Sequence, residues 1–258
     1  RVWKPLSRAP VGLIPSESVD LDLSENPDDR RSRMHEKARY NIKLSARKGV
    51  RVRTLQSEED LFVFYALMKE ASLRGDFFLE PMEFFQSLYK SLAESGNALA
   101  PRSSDALALG SSDALALGSS DALAPGSAGG SPAFGQIYFA EHEGDVLGTL
   151  FVVNYGKRST YLYGCVSLQK RNLMAGYALQ WQAIRDAKLA GSLQYDFYGY
   201  DSSGSPSHPY FGFSKFKSQF SGELVQFVGA HEKYFSSRLA DVLIKAIKES
   251  EAISSGGR

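Results

Sequence analysis

Gly135–Ser167, read GQIYFAEHEGDVLGTLFVVNYGKRSTYLYGCVS, is the stretch that decides how this chain is built. It carries three runs of strand-forming residues, rich in Val, Tyr, Phe and Thr. The runs are separated near Glu143–Asp145 and near Gly156–Ser159, where glycine and polar residues mark tight turns. Three strands joined by two short turns make an antiparallel meander. Downstream, NLMAGYALQWQAIRDAKLAG (172–191) places Leu173, Tyr177, Trp181 and Ile184 on one face of a helix, with Gly191 as its stop. SLQYDFYGY (192–200) then reads as a further strand.

Working upstream, SEEDLFVFYALMKEASLRGDFF (57–78) opens on Ser57 and Asp60, spaced as in a capping box, and runs into a core stripe of Leu61, Phe64, Tyr65, Met68 and Ala71. A second amphipathic helix is expected from about Pro81 to Ala93. Met34, Ala38 and Ile42 recur at four-residue spacing in a third helix, with Leu44 and Ala46 nearby. Gly49 is its stop, and VRVRTL (50–55) follows as a short strand. Toward the other end come a short aromatic-lysine helix within Tyr210–Glu223, a strand LVQFVGAHEKYF (224–235), and a last helix carrying Leu239, Val242, Leu243, Ala246 and Ile247. A meander meeting a helix and a further strand is the layout of a GNAT-type acyltransferase. The fold class expected is therefore α/β (α+β), with a mixed, largely antiparallel sheet flanked by helices.

The 258 residues suffice for one large domain or two small ones, and 43% hydrophobic with 12% aromatic residues is ordinary for a globular core. Cys165 is the single cysteine, so an internal disulfide is excluded, and nothing in the sequence points to a metal cluster. No apolar run approaches the roughly 18 residues of a membrane span. These features lead us to expect a cytoplasmic monomer. The first residue is Arg1, which leads us to expect a piece of a longer protein. Residues 103–126 are three near-identical octapeptides, SSDALALG, SSDALALG and SSDALAPG. Glycine and proline punctuate each copy, so 99–133 reads as a flexible low-complexity insertion. Residues 1–55 read as the end of a first GNAT-like half with a basic helix, and 56–98 with 134–258 as a second GNAT-like domain.

Charge is uneven. From Arg30 to Arg53 ten Lys or Arg stand against one acid, Glu36. Such a run is either a solvated face or a surface for phosphates, with Arg39, Lys43 and Arg47 as its candidates for RNA or a diphosphate. In YFGFSKFKSQFSGE (210–223), 100° per residue brings Phe213, Phe216 and Phe220 within about 60° of one another. Lys217 borders that stripe and Lys215 points away to solvent. An ammonium at the edge of an apolar face is either a snorkelling side chain or a charge placed for use.

Several ordered blocks resemble the Fem-type peptidyltransferase family: LDLSENPDDRRSRMHEKARYNIKLSARKGVRV (21–52), FYALMKEASLRGDFF (64–78), the strand–helix–strand run 161–201, and GFSKFKSQFSGELVQFVG (212–229). The resemblance covers most of 15–258 outside the insertion. It implies transfer of an amino acid from aminoacyl-tRNA to the peptide of a peptidoglycan precursor, either lipid II or its UDP-linked form. No cofactor is implied beyond the aminoacyl-tRNA co-substrate, and peripheral contact with the inner membrane face is. The family is built from two GNAT-like halves, of which this chain holds the end of the first and all of the second. Local departures are the inverted Gly75–Asp76 order, Gly176 where proline is common, and Ser221 in place of a first glycine before Gly222.

The resemblance places Lys217 as the catalytic lysine near the acceptor end of the tRNA, where positive charge would meet a developing oxyanion. Arg74 matches an arginine in the region that contacts the precursor, and a guanidinium fork suits a diphosphate. Phe216, Tyr163 and Tyr198 are candidate pocket walls, and His208 is a loop residue just before the lysine helix. Asp196 and Asp201 are possible bases, although the incoming amine can instead pass its proton to the substrate. QKRNLMAG (169–176) is a weak match to a pyrophosphate-binding turn, lacking paired glycines, so an acyl-CoA N-acyltransferase is the runner-up. A non-catalytic tRNA- or envelope-binding relative is the third reading.

Overall fold

A computed structural model describes residues 7–9, 15–75, 77–94, 134–232, 242 and 245. The octapeptide insertion, and the last helix but for Val242 and Lys245, lie outside the described residues. Along the chain the elements are β1 (Ser7–Arg8), β2 (Glu17–Asp22), α1 (Pro27–Arg33), α2 (Glu36–Arg47), β3 (Arg51–Thr54), α3 (Glu58–Gly75), α4 (Met82–Glu94), β4 (Phe134–His142), β5 (Asp145–Tyr155), β6 (Arg158–Val166), α5 (Ala175–Leu189), β7 (Gln194–Asp196), α6 (Phe211–Lys217), β8 (Glu223–Gln226) and β9 (His231–Glu232).

Local chemistry sets these boundaries. Asn26 caps α1 by accepting from the Asp28 N–H, with Pro27 in the first turn, where its missing N–H costs nothing. His35 caps α2 through Nδ1, which accepts from the Lys37 N–H at 3.1 Å. At the head of α3 the Asp60 carboxylate accepts from the Gln56 N–H at 2.8 Å and takes the Arg53 guanidinium in a two-pronged pair at 2.7 and 2.8 Å. The shorter acid of the expected capping box therefore also fixes the end of β3. Gly191, at φ +84, ends the α5 run in the left-handed region that glycine enters without penalty.

The meander β4–β5–β6 forms as the spacing predicts, and the sheet has seven strands in the order β3-β4-β5-β6-β7-β2-β8. All neighbours are antiparallel except β6 and β7. The fold class is thus α/β with a largely antiparallel open sheet, as expected. One strand escaped the sequence reading. β2, ESVDLD, lies inside the sheet between β7 and β8, and Ser18, Val19, Asp20 and Leu21 are all buried. Residues 17–54, grouped in the sequence with the end of a preceding half, contribute β2 and β3 to this same sheet. The strand expected over 224–235 is also broken. β8 stops at Gln226, Gly229 turns at φ +82, and β9 pairs instead with β1.

Two apolar clusters cover the two faces of the sheet. On one face Ala38 and Ile42 of α2 and Leu179, Trp181 and Ile184 of α5 pack with Leu150 and Val152 of β5. On the other, Leu61, Phe64 and Met68 of α3 and Phe85 of α4 pack with Ile137, Phe139 and Phe151. Leu150 and Val152 face one layer and Phe151 the other, as the two-residue period of a strand requires.

Candidate active site

The sheet splits at its one parallel joint. β6 and β7 pair only over Arg158–Thr160 and Gln194–Asp196. Beyond that point β6 stays with β5 while the other chain follows β2: the Phe197 N–H donates to Val19 O at 2.9 Å and the Tyr200 N–H to Glu17 O at 3.0 Å. Tyr161–Val166 and Phe197–Tyr200 therefore diverge. Leu162 has no counterpart in β5, because the register shifts between Phe151 and Val152. A bulge of this kind bends the strand and re-aims its side chains.

Lys217 spans the split. Its ammonium donates to the carbonyl oxygens of Tyr198 and of Gly199, the latter at 2.6 Å. It also lies 5.5 Å from the centre of the Tyr161 ring on the opposite lip. Lys217 is 8% exposed, so it lies deeper than the border of the stripe where the spacing put it and does not snorkel to water. The reason is that α6 tightens into a 3₁₀ turn at Ser218–Phe220. Residues three apart eclipse in such a turn, so Phe220 falls in line with Lys217 and Ser214 on the buried side, and Phe213 is left 53% exposed. Lys215 points to solvent as expected. Burial pushes the Lys217 ammonium down to about 8, against an opposing pull from the Asp196 charge. Two of its three donors are engaged by backbone oxygens.

Several contacts fix α6 and its turn. Phe216 and Phe220 pack on Tyr177 of α5, whose hydroxyl donates to Gln219 Oε1 at 2.9 Å. Arg30 of α1 is buried and donates to the carbonyls of Phe220, at 3.1 Å, and Ser221, closing the C-terminal end of the turn. Ser214 Oγ accepts from the Asp201 N–H at 2.9 Å. Arg30 is hidden within the basic run of the sequence, and Tyr177 reads there only as part of the core stripe of α5.

Beneath Tyr198 lies a buried polar network. The Asp196 carboxylate accepts from Ser18 Oγ, from the Tyr198 N–H at 2.7 Å and from Arg158 at 3.0 Å. Arg158 also pairs with Asp20 at 2.9 Å. Asp196 thus accepts three hydrogen bonds, two on Oδ1 and one on Oδ2. Asp201 is held by its own turn, accepting from Ser203 Oγ at 2.8 Å.

The remaining candidates are distributed around this centre. Tyr198 supplies a carbonyl to Lys217 and sits at φ +48. Tyr163, on the far lip, packs against Phe85 and Phe151; burial raises its phenol, and Tyr198 adds to the rise. Arg74 is exposed at the end of α3, pairing with Glu70 at 3.2 Å and reaching the Val166 carbonyl at the tip of β6 at 3.3 Å. His208 lies on the loop before α6, accepting from the Tyr210 N–H at 3.1 Å, with Asp201 3.6 Å away. Arg39, Lys43 and Arg47 line the outer face of α2, away from Ala38 and Ile42; Arg39 donates to Ser32 O at 2.7 Å and Arg47 lies 6.0 Å over the Tyr40 ring. The basic run is not one surface. Arg30 is buried, and Arg31, Arg33 and Arg53 are paired with Asp28, Glu25 and Asp60.

Comparison with known proteins places this geometry in context. A family model described as FemAB family matches residues 14–98 and 136–248, on either side of the insertion. The lipid II:glycine glycyltransferase of Staphylococcus epidermidis is 21% identical over 257 residues, covering 90% of this chain and 62% of that protein. The protein of the same name from Staphylococcus aureus is 22% identical over 265 residues, covering 92% and 62%. The crystal structure of FemX superposes with a TM-score of 0.69 at 15% identity, over 92% of this chain and 66% of that one, which shows a shared fold. The chain spans about 62% of the length of the curated relatives it matches.

Proposed function

Because the chain belongs to the FemAB family, we propose that it is the part of a peptidoglycan aminoacyltransferase that carries the transfer site. The reaction is movement of an amino acid from aminoacyl-tRNA to the peptide of a lipid II or UDP-linked precursor, at the cytoplasmic face of the membrane. The relatives named lipid II:glycine glycyltransferase support the substrate class. The observation that carries the proposal is the Lys217 ammonium held between the two lips of the split sheet.

In this reaction an amine attacks the ester carbonyl, a tetrahedral oxyanion forms and the ribose oxygen leaves. Lys217 supplies fixed positive charge in a water-poor site, where such charge is worth most. Asp196 already accepts from Ser18, Tyr198 and Arg158, and in the proposed reaction the attacking amine passes its proton to the departing ribose oxygen. Tyr163, Tyr198 and Phe216 line the approach, with His208 at its loop side. Arg74 at the tip of β6 faces the precursor phosphates. The outer face of α2, with Arg39, Lys43 and Arg47, takes the RNA backbone. No cofactor enters.

The test is a single-turnover assay of the whole protein with aminoacyl-tRNA and each precursor form. Lys217→Met is expected to lower the rate on the order of 100- to 1,000-fold, as loss of one oxyanion-stabilising group does. Lys215→Met is expected to be silent. Equal rates for the two variants remove Lys217 from the mechanism. Turnover of acyl-CoA in place of aminoacyl-tRNA, or tRNA binding without transfer, replaces the proposal with an acyl-CoA acyltransferase or a binding relative.

A further inference from the structure

The buried Asp196 carboxylate accepts three hydrogen bonds and sits where the sheet divides. Its Oδ1 accepts from the N–H of Tyr198, two residues on, at 2.7 Å. That is the Asx-turn geometry that stabilises a left-handed residue. Tyr198 is at φ +48 and Gly199 at φ +58, two successive residues in the left-handed region. A non-glycine residue there is strained by about 1–2 kcal/mol and persists only where its surroundings hold it. The two carbonyls this turn turns inward, those of Tyr198 and Gly199, are the ones that receive Lys217. Asp196 is itself pinned from behind by Ser18 Oγ on β2 and by Arg158 on β6, which also grips Asp20.

We propose that Asp196, pinned by Ser18 and Arg158, is a positioning residue that aims the Lys217 ammonium by locking the Tyr198–Gly199 turn. The contact chain runs Arg158 and Ser18 to Asp196, to the Tyr198 N–H, to the two carbonyls, to Lys217, with no gap longer than a hydrogen bond. Asp196 also acts on Lys217 through space, since its negative charge favours the ammonium against burial. The titratable groups set around Lys217 are Asp196 on β7, Tyr161 on β6, and Tyr198 and Tyr210 on the loop. Of these, the negative charge at neutral pH belongs to Asp196. Replacing it therefore moves Lys217 in one direction, toward easier loss of its proton.

This inference rests on the transfer reaction proposed above, so its test has one readout that needs no activity. The 13Cε resonance of Lys217, assigned by its disappearance in Lys217→Arg, is titrated in the unsubstituted protein and in Asp196→Asn. The asparagine presents no charge, and its amide nitrogen cannot accept from Arg158, so the pin behind the turn is lost. The Lys217 titration is expected to move to lower pH, and kcat to fall about 100-fold with KM for both substrates little changed, the loss that follows a small misplacement of a catalytic group. Asp196→Glu, charged but one methylene too long, should restore the titration toward that of the unsubstituted protein without restoring kcat. A lowered melting temperature with an unmoved Lys217 titration makes Asp196 merely structural and overturns the proposal, as does an unchanged kcat in a folded variant. Should Asp196→Asn not fold, Ser18→Ala removes one hydrogen bond and no charge: a roughly tenfold fall in kcat at constant KM upholds the proposal, and an unchanged kcat sinks it. Should the unsubstituted protein transfer nothing, the reaction proposed above falls, and the titration shift alone decides whether Asp196 sets Lys217.

Discussion

Ser221 and Gly222 close the turn that joins the lysine-bearing helix to β8, and they make opposite demands. Ser221 is left-handed, at φ 55 and ψ 47, where a side chain is strained and glycine is not. Ser221→Gly should therefore raise stability by about 0.5–1 kcal/mol, the relief being partly offset by glycine's greater unfolded-state freedom. Gly222 has no such latitude. A Cβ there meets the Val19 side chain and stands 2.7 Å from the Asp20 carbonyl of β2, so Gly222→Ala should cost at least 1–3 kcal/mol through displaced strand pairing. Urea unfolding measures both, and equal midpoints for the two variants contradict this account. Lys217 makes a second residue-scale prediction, in which two pH dependences have opposite signs. Its folded value, about 8, lies below the 10.5 of an unperturbed lysine. Between those values the unfolded chain holds more protons than the folded one, so the Lys217 contribution makes stability rise with pH across that window. Transfer that depends on the ammonium should instead decline above about pH 8. A rate that climbs through the same window alongside stability is incompatible with a charged Lys217 in the transition state.

Among the elements, α2 is the clearest two-sided case. Ala38, Asn41, Ile42 and Ser45 are buried while Tyr40, Lys43 and Arg47 are exposed. If RNA lies on the outer face, each phosphate neutralised releases counterions. Converting Arg39, Lys43 and Arg47 to glutamine should then flatten the slope of log affinity against log salt by about 2–3. Filter-binding over a range of salt reads this directly, and an unaltered slope makes the face a solvated one. The inner stripe of α2 was legible from spacing, as were Leu61, Phe64 and Met68 on α3 and Tyr177, Trp181 and Ile184 on α5, because each helix is long enough for its 3.6-residue period to repeat. The meander was legible because glycine marks both turns. What escaped was short or depended on distant partners. In β2, Asp20 and Asp22 make a six-residue strand look like polar chain, and Asp20 tolerates burial only because Arg158, 138 residues away, answers it. In α6 the extrapolated helical wheel put Phe213 inside and Lys217 at the border. Two turns do not fix a phase once a 3₁₀ turn intervenes, and only the carbonyls of Tyr198 and Gly199 explain why a lysine is worth burying there.

For the whole molecule, the decisive connection is between the chain's beginning and its end. β2 pairs with β7 at Asp20–Asp22 and with β8 at Glu17–Asp20, joining residues near 20 to residues near 195 and 225. It therefore carries one wall of the split: Val19 O receives the Phe197 N–H, Glu17 O receives the Tyr200 N–H, and Ser18 pins Asp196. Contacts of such sequence separation form only after long loops are closed, which makes them both late in folding and essential to its cooperativity. A chain beginning at Ser24 retains the meander, α3, α4 and α5, and so retains the apolar cluster of Leu61, Phe64, Phe85 and Phe151. It loses Val19, Leu21 and Leu23 from the other cluster, leaves Tyr195 and Phe197 uncovered, and strands Arg158 beside a single acid. We expect this truncated chain to keep much of its far-UV dichroism while losing near-UV dichroism and the sharp heat-absorption peak of a cooperative transition, since one face of the sheet keeps its packing and the other does not. A truncated chain that still melts in one sharp transition at the original temperature would mean that the split is held by β6 and α6 alone, and β2 would then be an accessory strand rather than the wall against which Lys217 is set.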